Sequence, residues 1–573
     1  MKFLLVAINA KYIHSNPAIY SLRAFAGEKL SKHTELAEYT INQYSEDILE
    51  DICRRKPDAI GFSCYIWNWT LVQDLLTELP KILPDTDLWL GGPEVSFDTE
   101  VLLRRFPQLT GVMIGEGEAT FKEVLQSYLS DKAFEKVPGL YLHTGYTAMR
   151  ALTDMSEIPF LYHDLTPFEN KIIYYETGRG CPYRCSYCLS SVDKNLRFRK
   201  PEIVEKELQF FLDHGVKQVK LVDRTFNCNH EHAMTIWRYI KEHDNGVTNF
   251  HFEISADILR EDEIELLQSF RPGLAQLEIG VQTINEETLD AIHRVMHVEH
   301  LAEIVEKLRK GNNLHLHLDL IAGLPYEDYQ SFRQSFNRVY EMRPEQLQLG
   351  FLKVLKGSEM WERAEEYGIC YLDKPPYEVL YTKWLTYEEV RRLKKVEEMV
   401  ELYYNSGQFT RTLPVLEGLF QEPFELYEKL GDYYAEKGYF VNHPARIHRY
   451  RILLEFALEY DPKRSKLYRE LLTFDAYLRE NMKSRPEFAV DLAPFKKEIH
   501  DFYQREEAAR YYLPDYVAYD WKQLSKMTHL EPFWDSVEDE QPAGFVLFDY
   551  GKRNPLNYEA KTYVIREYGD TSC

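Results

Sequence analysis

Long apolar runs are missing from this 573-residue chain, and with them any segment that reads as a membrane span. The opening MKFLLVAINAKY turns polar too soon and lacks a small-residue cleavage site, so it reads as a first β-strand rather than a signal peptide. Cysteine is scarce, with eight residues in all. That is too few for a disulfide framework and points to a reducing cytoplasm, the expected location. Positive charge is short as well: 69 Lys+Arg face 92 Asp+Glu, a net charge of −23. Such a chain repels a phosphate backbone unless it carries a local basic patch, so nucleic acid is not an expected partner.

What is present is a chain long enough for about two to four domains, with 45% hydrophobic residues. Up to about residue 130, short apolar runs (3–8, 36–39, 59–63, 88–90, 112–114) alternate with helical patterns (17–30, 46–55, 70–83, 98–105, 121–129). Fully apolar strands between amphipathic helices predict a parallel sheet covered on both faces, a doubly wound Rossmann-like α/β domain over 1–135. Residues 136–170, with Pro138, Pro159 and Pro167, read as a linker. A second βα series follows, with strands at 172–176, 219–222, 250–254, 276–279, 315–321 and 346–351. Six units suit a partial (β/α)6 barrel over 171–365, whose chemistry belongs at the C-terminal strand ends. From 366 to 573 the pattern is mainly helical, with helices opening near Thr386 and spanning 447–459 and 465–480, then two strands around a turn from about 541.

The most specific signal is Gly178-Arg-Gly-Cys181-Pro-Tyr-Arg-Cys185-Ser-Tyr-Cys188, placed directly after a predicted strand. CxxxCxxC offers three thiolates on one loop, and an iron–sulfur cubane normally wants four. The missing ligand leaves one iron open. A structural zinc site would need a second paired motif, and Cys228 and Cys370 stand alone.

This segment resembles the radical S-adenosylmethionine (SAM) superfamily, down to the aromatic Tyr187 before the last cysteine. The resemblance covers roughly residues 170–355. It implies a [4Fe–4S] cluster on Cys181, Cys185 and Cys188 whose open iron binds and cleaves SAM to a 5′-deoxyadenosyl radical. Leu221-Val-Asp223, Glu278-Ile-Gly-Val-Gln282 and the Gly323-Leu-Pro325 turn look like further strand ends of the same barrel. By that resemblance Glu253, Gln282 and Asp319 are the candidates to contact SAM, since carboxylates and amides suit its ammonium and ribose hydroxyls. An electron donor such as a flavodoxin or ferredoxin is the implied partner.

The N-terminal unit lacks G-x-G-x-x-G after its first strand, which argues against dinucleotide binding. It carries Ser63 at the third strand, Gly91-Gly92-Pro-Glu94 at the fourth and Gly115-Glu116-Gly117-Glu118 at the fifth. With Asn16-Pro-Ala-Ile-Tyr20, these turns resemble the cobalamin-binding domain that precedes the barrel in one large class of radical SAM enzymes. Ser63, Gly91, Gly92, Glu94, Gly115, Glu116 and Gly117 are the candidate cobalamin contacts. The chain lacks Asp-x-His-x-x-Gly, so the resemblance implies cobalamin without a protein histidine on cobalt. A methylthiotransferase domain would need its own cysteine trio there, and only Cys53 and Cys64 occur.

The resemblance as a whole implies a B12-dependent radical SAM enzyme that methylates an unactivated carbon. Two alternatives are a radical oxidation, cyclisation or rearrangement with the same cofactors, and a cluster- and corrinoid-binding sensor. The remaining features read as ordinary structure. Cys228 is expected to be a small buried hydrophobe, His230 and His232 surface residues, and 446–451 a solvated helix face. The Tyr- and Phe-rich tail is expected to supply an aromatic cavity wall.

Overall fold

The computed structural model describes residues 1–534 and 544–565, so Cys573 lies outside the described residues. The first sheet contains β1 (Phe3–Asn9), β2 (Thr34–Thr40), β3 (Ala59–Ser63), β4 (Asp87–Gly91), β5 (Leu109–Met113), β6 (Leu140–Leu142) and β7 (Gly145–Tyr146). Their order is β2-β1-β3-β4-β5-β6-β7. β1 to β5 pair in parallel, while β6 and β7 add antiparallel at the edge. Every residue of β1 is buried, as expected of a strand covered on both faces. Leu4, Val6 and Ile8 pack into one core with Leu75 and Leu79, and Phe3, Leu5 and Ala7 into another with Phe121 and Val124. β6 and β7 fall within the stretch read as linker. They are too short to show a period of their own.

The second βα series begins with β8 (Ile173–Tyr175). A small hairpin, β9 (Gly178–Arg179) with β10 (Arg197–Phe198), precedes β11 (Gln218–Leu221), β12 (Asn249–Ile254) and β13 (Ala275–Gln282). β8, β11, β12 and β13 pair in parallel in that order. Their alternation is plain in β13, where Ala275, Leu277, Ile279 and Val281 are buried and Gln276, Glu278, Gly280 and Gln282 are not. β14 (His315–Ala322) and β15 (Gln346–Phe351) complete the six predicted strands.

The chain forms two compact units. One holds Met1–Leu314, Ile321–Tyr329 and Gly350–Tyr387, including the short pair β16 (Cys370–Tyr371) and β17 (Val379–Tyr381). The other holds His315–Leu320, Gln330–Leu349 and the chain from Glu388. Its helices include Tyr387–Met399, Pro423–Glu436, Arg446–Tyr460 and Ser465–Arg479. It ends in an antiparallel sheet of β18 (Thr528–Phe533), β19 (Gly544–Arg553) and β20 (Ala560–Ile565). The two strands expected there are β19 and β20, and β18 is the partner that the sequence pattern did not reveal. Some of the aromatic side chains of this unit pack inside it: Tyr403, Tyr427, Tyr434, Tyr450 and Tyr468 are buried in its own core. Among the described residues no helix is long and apolar enough to cross a membrane.

Candidate functional site

β8 leads through Thr177 into β9, and the loop from β9 to β10 carries the three cysteines. Gly180 turns the loop at φ +89°, where a Cβ would sit 2.5 Å from the Asn195 carbonyl oxygen, so only glycine fits. The Cys181 amide donates to Asp193 O at 3.1 Å and the Cys188 amide to Cys185 O at 3.0 Å, folding the loop on itself. All three thiols are free; Cys181 and Cys185 are buried and Cys188 half-buried. Cys181 Sγ lies 3.7 Å from Thr225 Oγ1, and Cys185 Sγ lies 3.9 Å from Arg294 Nη1. Burial pushes the Cys185 thiol up in pKa, and the Arg294 charge opposes it. Three soft donors gathered on one short loop suit an iron–sulfur cubane with one iron left open. Cys228 is half-buried on the turn Phe226–Cys228, its thiol pushed up to about 11 by burial and then by Cys181 and Asp223.

The polar face of β11, β12 and β13 lies beside this loop in sequence order. Glu253 and Glu278 are register partners, and Lys220 Nζ reaches Glu253 at 3.7 Å and Glu278 at 3.0 Å. His251 Nε2 adds a contact to Glu278 at 2.9 Å. Burial opposes ionisation of Glu278, yet His251 and Lys220 outweigh it and hold the carboxyl at about 2. Further along β13, the side chains of Gln282 and Arg294 both sit over Gly280: a Cβ there would be 2.2 Å from Gln282 Nε2 and 3.6 Å from Arg294 Nη2. Gln282 Oε1 is buried without a hydrogen-bond partner. Buried polar atoms are rarely left so, and an orphaned acceptor beside a buried guanidinium fits a polar ligand at this spot. Asp319 belongs to the other compact unit, where its carboxylate lies 3.0 Å from His317 Nε2.

In the first sheet, the order β2-β1-β3 puts a topological switch point between β1 and β3, where ligands of doubly wound sheets bind. The flanking loops are tied to each other. Asn16 caps the helix Pro17–Ala26 by accepting Ile19 N, and its amide reaches Ser63 Oγ at 3.3 Å. Asn68 donates to Ile8 O and Ser63 O at 3.1 and 2.9 Å. Tyr65 and Trp67 stack with centroids 4.3 Å apart. The glycine turns have different reasons. A Cβ on Gly92 would lie 2.5 Å from Cys64 O, so this glycine serves chain packing. A Cβ on Gly91 would make ordinary contact with Met113, and one on Gly117 would press on Leu22. Gly115, at φ +74°, has nothing within 4 Å and is open to a ligand. Glu94 is buried and accepts the Tyr377 hydroxyl. Glu116 pairs with Arg197 at 2.7 Å and Arg179 at 3.4 Å, and accepts the Thr153 amide at 2.8 Å. The only histidines within 1–135 are His14 and His33. His14 Nδ1 is 2.5 Å from the Tyr174 hydroxyl and His33 Nδ1 is 3.1 Å from Met1 O.

Two family models cover these two regions: "B12 binding domain" matches residues 4–125 and "Radical SAM superfamily" matches 175–339. The chain is a radical SAM protein with an N-terminal B12-binding domain. A third model, described as "Protein of unknown function (DUF4080)", matches residues 365–548 of this radical SAM protein. Over 350 residues the chain is 25% identical to the cobalamin-dependent radical SAM methyltransferase TokK of Streptomyces tokunonensis, covering 56% of this chain and 51% of that one. It thus spans about half the length of that relative. It is also 23% identical over 353 residues to the anaerobic magnesium-protoporphyrin IX monomethyl ester cyclase of Synechocystis sp., covering 59% and 69% of the two chains. Among solved structures it resembles the cobalamin-dependent SAM radical enzyme OxsB with aqua-cobalamin and SAM bound. That likeness has a TM-score of 0.56 at 15% identity, over 81% of this chain and 74% of that one, and it shows the shared fold.

Sequence reading of this radical SAM protein missed several residues. Arg294 follows no motif quoted for the barrel, and only the helix Glu286–Ala291 folding back toward the cluster loop brings it there. His232, expected at the surface, is buried and lies 2.9 Å from Thr177 Oγ1. His230 is half-buried, 3.2 Å from Asp262 and 3.3 Å from Glu263. The basic stretch 446–451 does open a helix with Arg446 and Arg451 exposed, as read from its spacing.

Proposed function

We propose that this protein is a B12-dependent radical SAM enzyme that methylates an unactivated carbon. The observation that carries the reading is the convergence at one end of the barrel of three free thiols, a buried guanidinium and an orphaned amide oxygen. Cys181, Cys185 and Cys188 would hold a [4Fe–4S] cluster, and the switch point with Gly115 would take cobalamin. When bound, the cluster supplies the electron that cleaves SAM to a 5′-deoxyadenosyl radical, and the corrinoid supplies the methyl group. Arg294 places a fixed positive charge beside Cys185 that suits the carboxylate of SAM, and Gln282 offers its amide to the same ligand. Glu253, 3.7 Å from Lys220 Nζ, offers its carboxylate to an ammonium or ribose hydroxyl. Ser63, Gly91, Gly92, Glu94, Glu116 and Gly117 shape the turns of the corrinoid site.

A second reading, radical cyclisation or oxidation without methyl transfer, is favoured by the likeness to the protoporphyrin ester cyclase. Anaerobic turnover with SAM, reductant and candidate substrates separates the two. Methyl transfer forms S-adenosylhomocysteine together with 5′-deoxyadenosine. The second reading forms 5′-deoxyadenosine or consumes reductant with no S-adenosylhomocysteine, and that result would overturn the first.

A further inference from the structure

The Gly115-Glu116-Gly117-Glu118 turn and the hairpin that carries the cysteines share one half-buried charge network. Arg179, at the end of β9 and just before Cys181, lies 2.6 Å from Glu118, 2.9 Å from Glu176 and 3.4 Å from Glu116. Its register partner in the hairpin, Arg197, lies 2.7 Å from Glu116 and 2.9 Å from Asp193. Asp193 is also the residue whose carbonyl holds the Cys181 amide. Glu118 is buried and accepts Ser21 Oγ of the helix Pro17–Ala26 at 3.2 Å. Burial works against the charge of Arg179, but Glu176 and Glu118 more than compensate and raise its pKa. Four carboxylates thus surround two guanidiniums at the junction of the B12-binding region and the cluster hairpin. The guanidinium fork fixes the directions of its donors toward these carboxylates, which the rotatable donors of an ammonium do not.

We propose that Arg179 is a positioning residue that sets the separation between the corrinoid turn and the cluster loop. This rests on the cofactor assignment above. Its need follows from the chemistry, since two groups held on separate domains must meet at one carbon. A misplacement of about 1 Å between reacting groups costs about 100-fold. The Arg179 fork links the Glu116–Glu118 turn to Cys181 through one intervening residue, Gly180, a short connection.

The test is the separation itself. The full-length protein, loaded with its cluster and with hydroxocobalamin, is reduced so that cluster and cob(II)alamin are both paramagnetic, and their distance is read by pulsed EPR. Wild type should give one narrow distance. Arg179→Met should broaden or lengthen it, Arg179→Lys should fall between, and Arg150→Met should leave it unchanged, because Arg150 pairs with Glu123 outside the hairpin. SAM cleavage per cluster should stay within about twofold in Arg179→Met, while transfer to substrate falls about 100-fold. An unchanged narrow distance in Arg179→Met would overturn the proposal while the cofactor reading stands. No corrinoid signal in wild type would overturn that reading and this proposal with it. If Arg179→Met does not fold, Glu118→Gln carries the same test with the same two results.

Discussion

Asp223 accepts the Thr177 hydroxyl at 2.6 Å and the Thr177 amide at 2.9 Å. The same hydroxyl oxygen lies 2.9 Å from His232 Nε2. A hydroxyl has one proton to give; while Asp223 is ionised that proton goes to it, and His232 then donates from Nε2 to Thr177. The relay lies under the strand that leads into the cysteine loop.

Its two ends bias stability in opposite directions. Burial pushes Asp223 from 3.8 up to about 7, against the pull of its Thr177 bonds, and pushes His232 from 6.5 down to about 4. The Asp223 contribution is full below pH 3.8 and is lost as pH rises to about 7. The His232 contribution is full above pH 6.5 and is lost as pH falls to about 4. The slopes cancel over most of the shared window. His232→Gln should therefore lose about 2–3 kcal/mol of stability between about pH 4.5 and 6.5, and Asp223→Asn should gain a similar amount. Anaerobic chemical denaturation across that window checks this; equal slopes in both variants would refute it.

Arg294→Met should keep its iron, because no cysteine is lost, but weaken SAM binding about 10-fold or more through loss of a charge-assisted contact. Arg294→Lys should recover part of it. Equilibrium dialysis of SAM against the iron-loaded protein gives the measurement, and loss of iron with unchanged SAM affinity would assign Arg294 to loop stability alone.

The three candidate corrinoid turns should separate by mutation. Gly115→Ala costs about 1–3 kcal/mol of backbone strain and should reduce hydroxocobalamin retention, since its side faces open space. Tyr377→Phe leaves the buried Glu94 without its donor, should cost about 1–3 kcal/mol, and should leave retention intact. Gly92→Ala should fail to fold stably, its Cβ meeting Cys64 O at 2.5 Å. Melting curves paired with corrinoid absorbance after desalting distinguish the three.

Ending the chain after Tyr387 should yield insoluble protein rather than a working core. The helix Tyr329–Glu341 packs inside the second unit: Phe336 meets Phe424 with ring centroids 5.3 Å apart, Tyr340 OH lies 2.9 Å from Tyr427 OH, and Asn337 bonds Glu422 at 2.7 Å. Removing the tail strips these buried partners and exposes an apolar face. A soluble, iron-loaded truncation seen by size-exclusion chromatography would contradict this.

The elements themselves were legible because period and length are local properties. β3 spans Ala59–Ser63 and β15 Gln346–Phe351, both as read from their apolar runs. The cysteine loop was legible for the same reason, since three ligands within one turn need no tertiary contact to be seen. β18 was not, because THLEPF carries Pro532 and a buried Glu531 in place of plain alternation, and only pairing with β19 makes it a strand.

Sequence alone thus determined the order of βα units and the triad of thiols, both written in contiguous residues. Tertiary structure decided everything that depends on pairs far apart in the chain. It brought Arg294 to Cys185 across 109 positions, placed Arg179 against Glu118, and buried His232 on Thr177. It also gave Gly92 to packing and Gly115 to open space. The physical reason is that burial and charge pairing are properties of the assembled surroundings, and identical residue types take opposite roles when those surroundings differ.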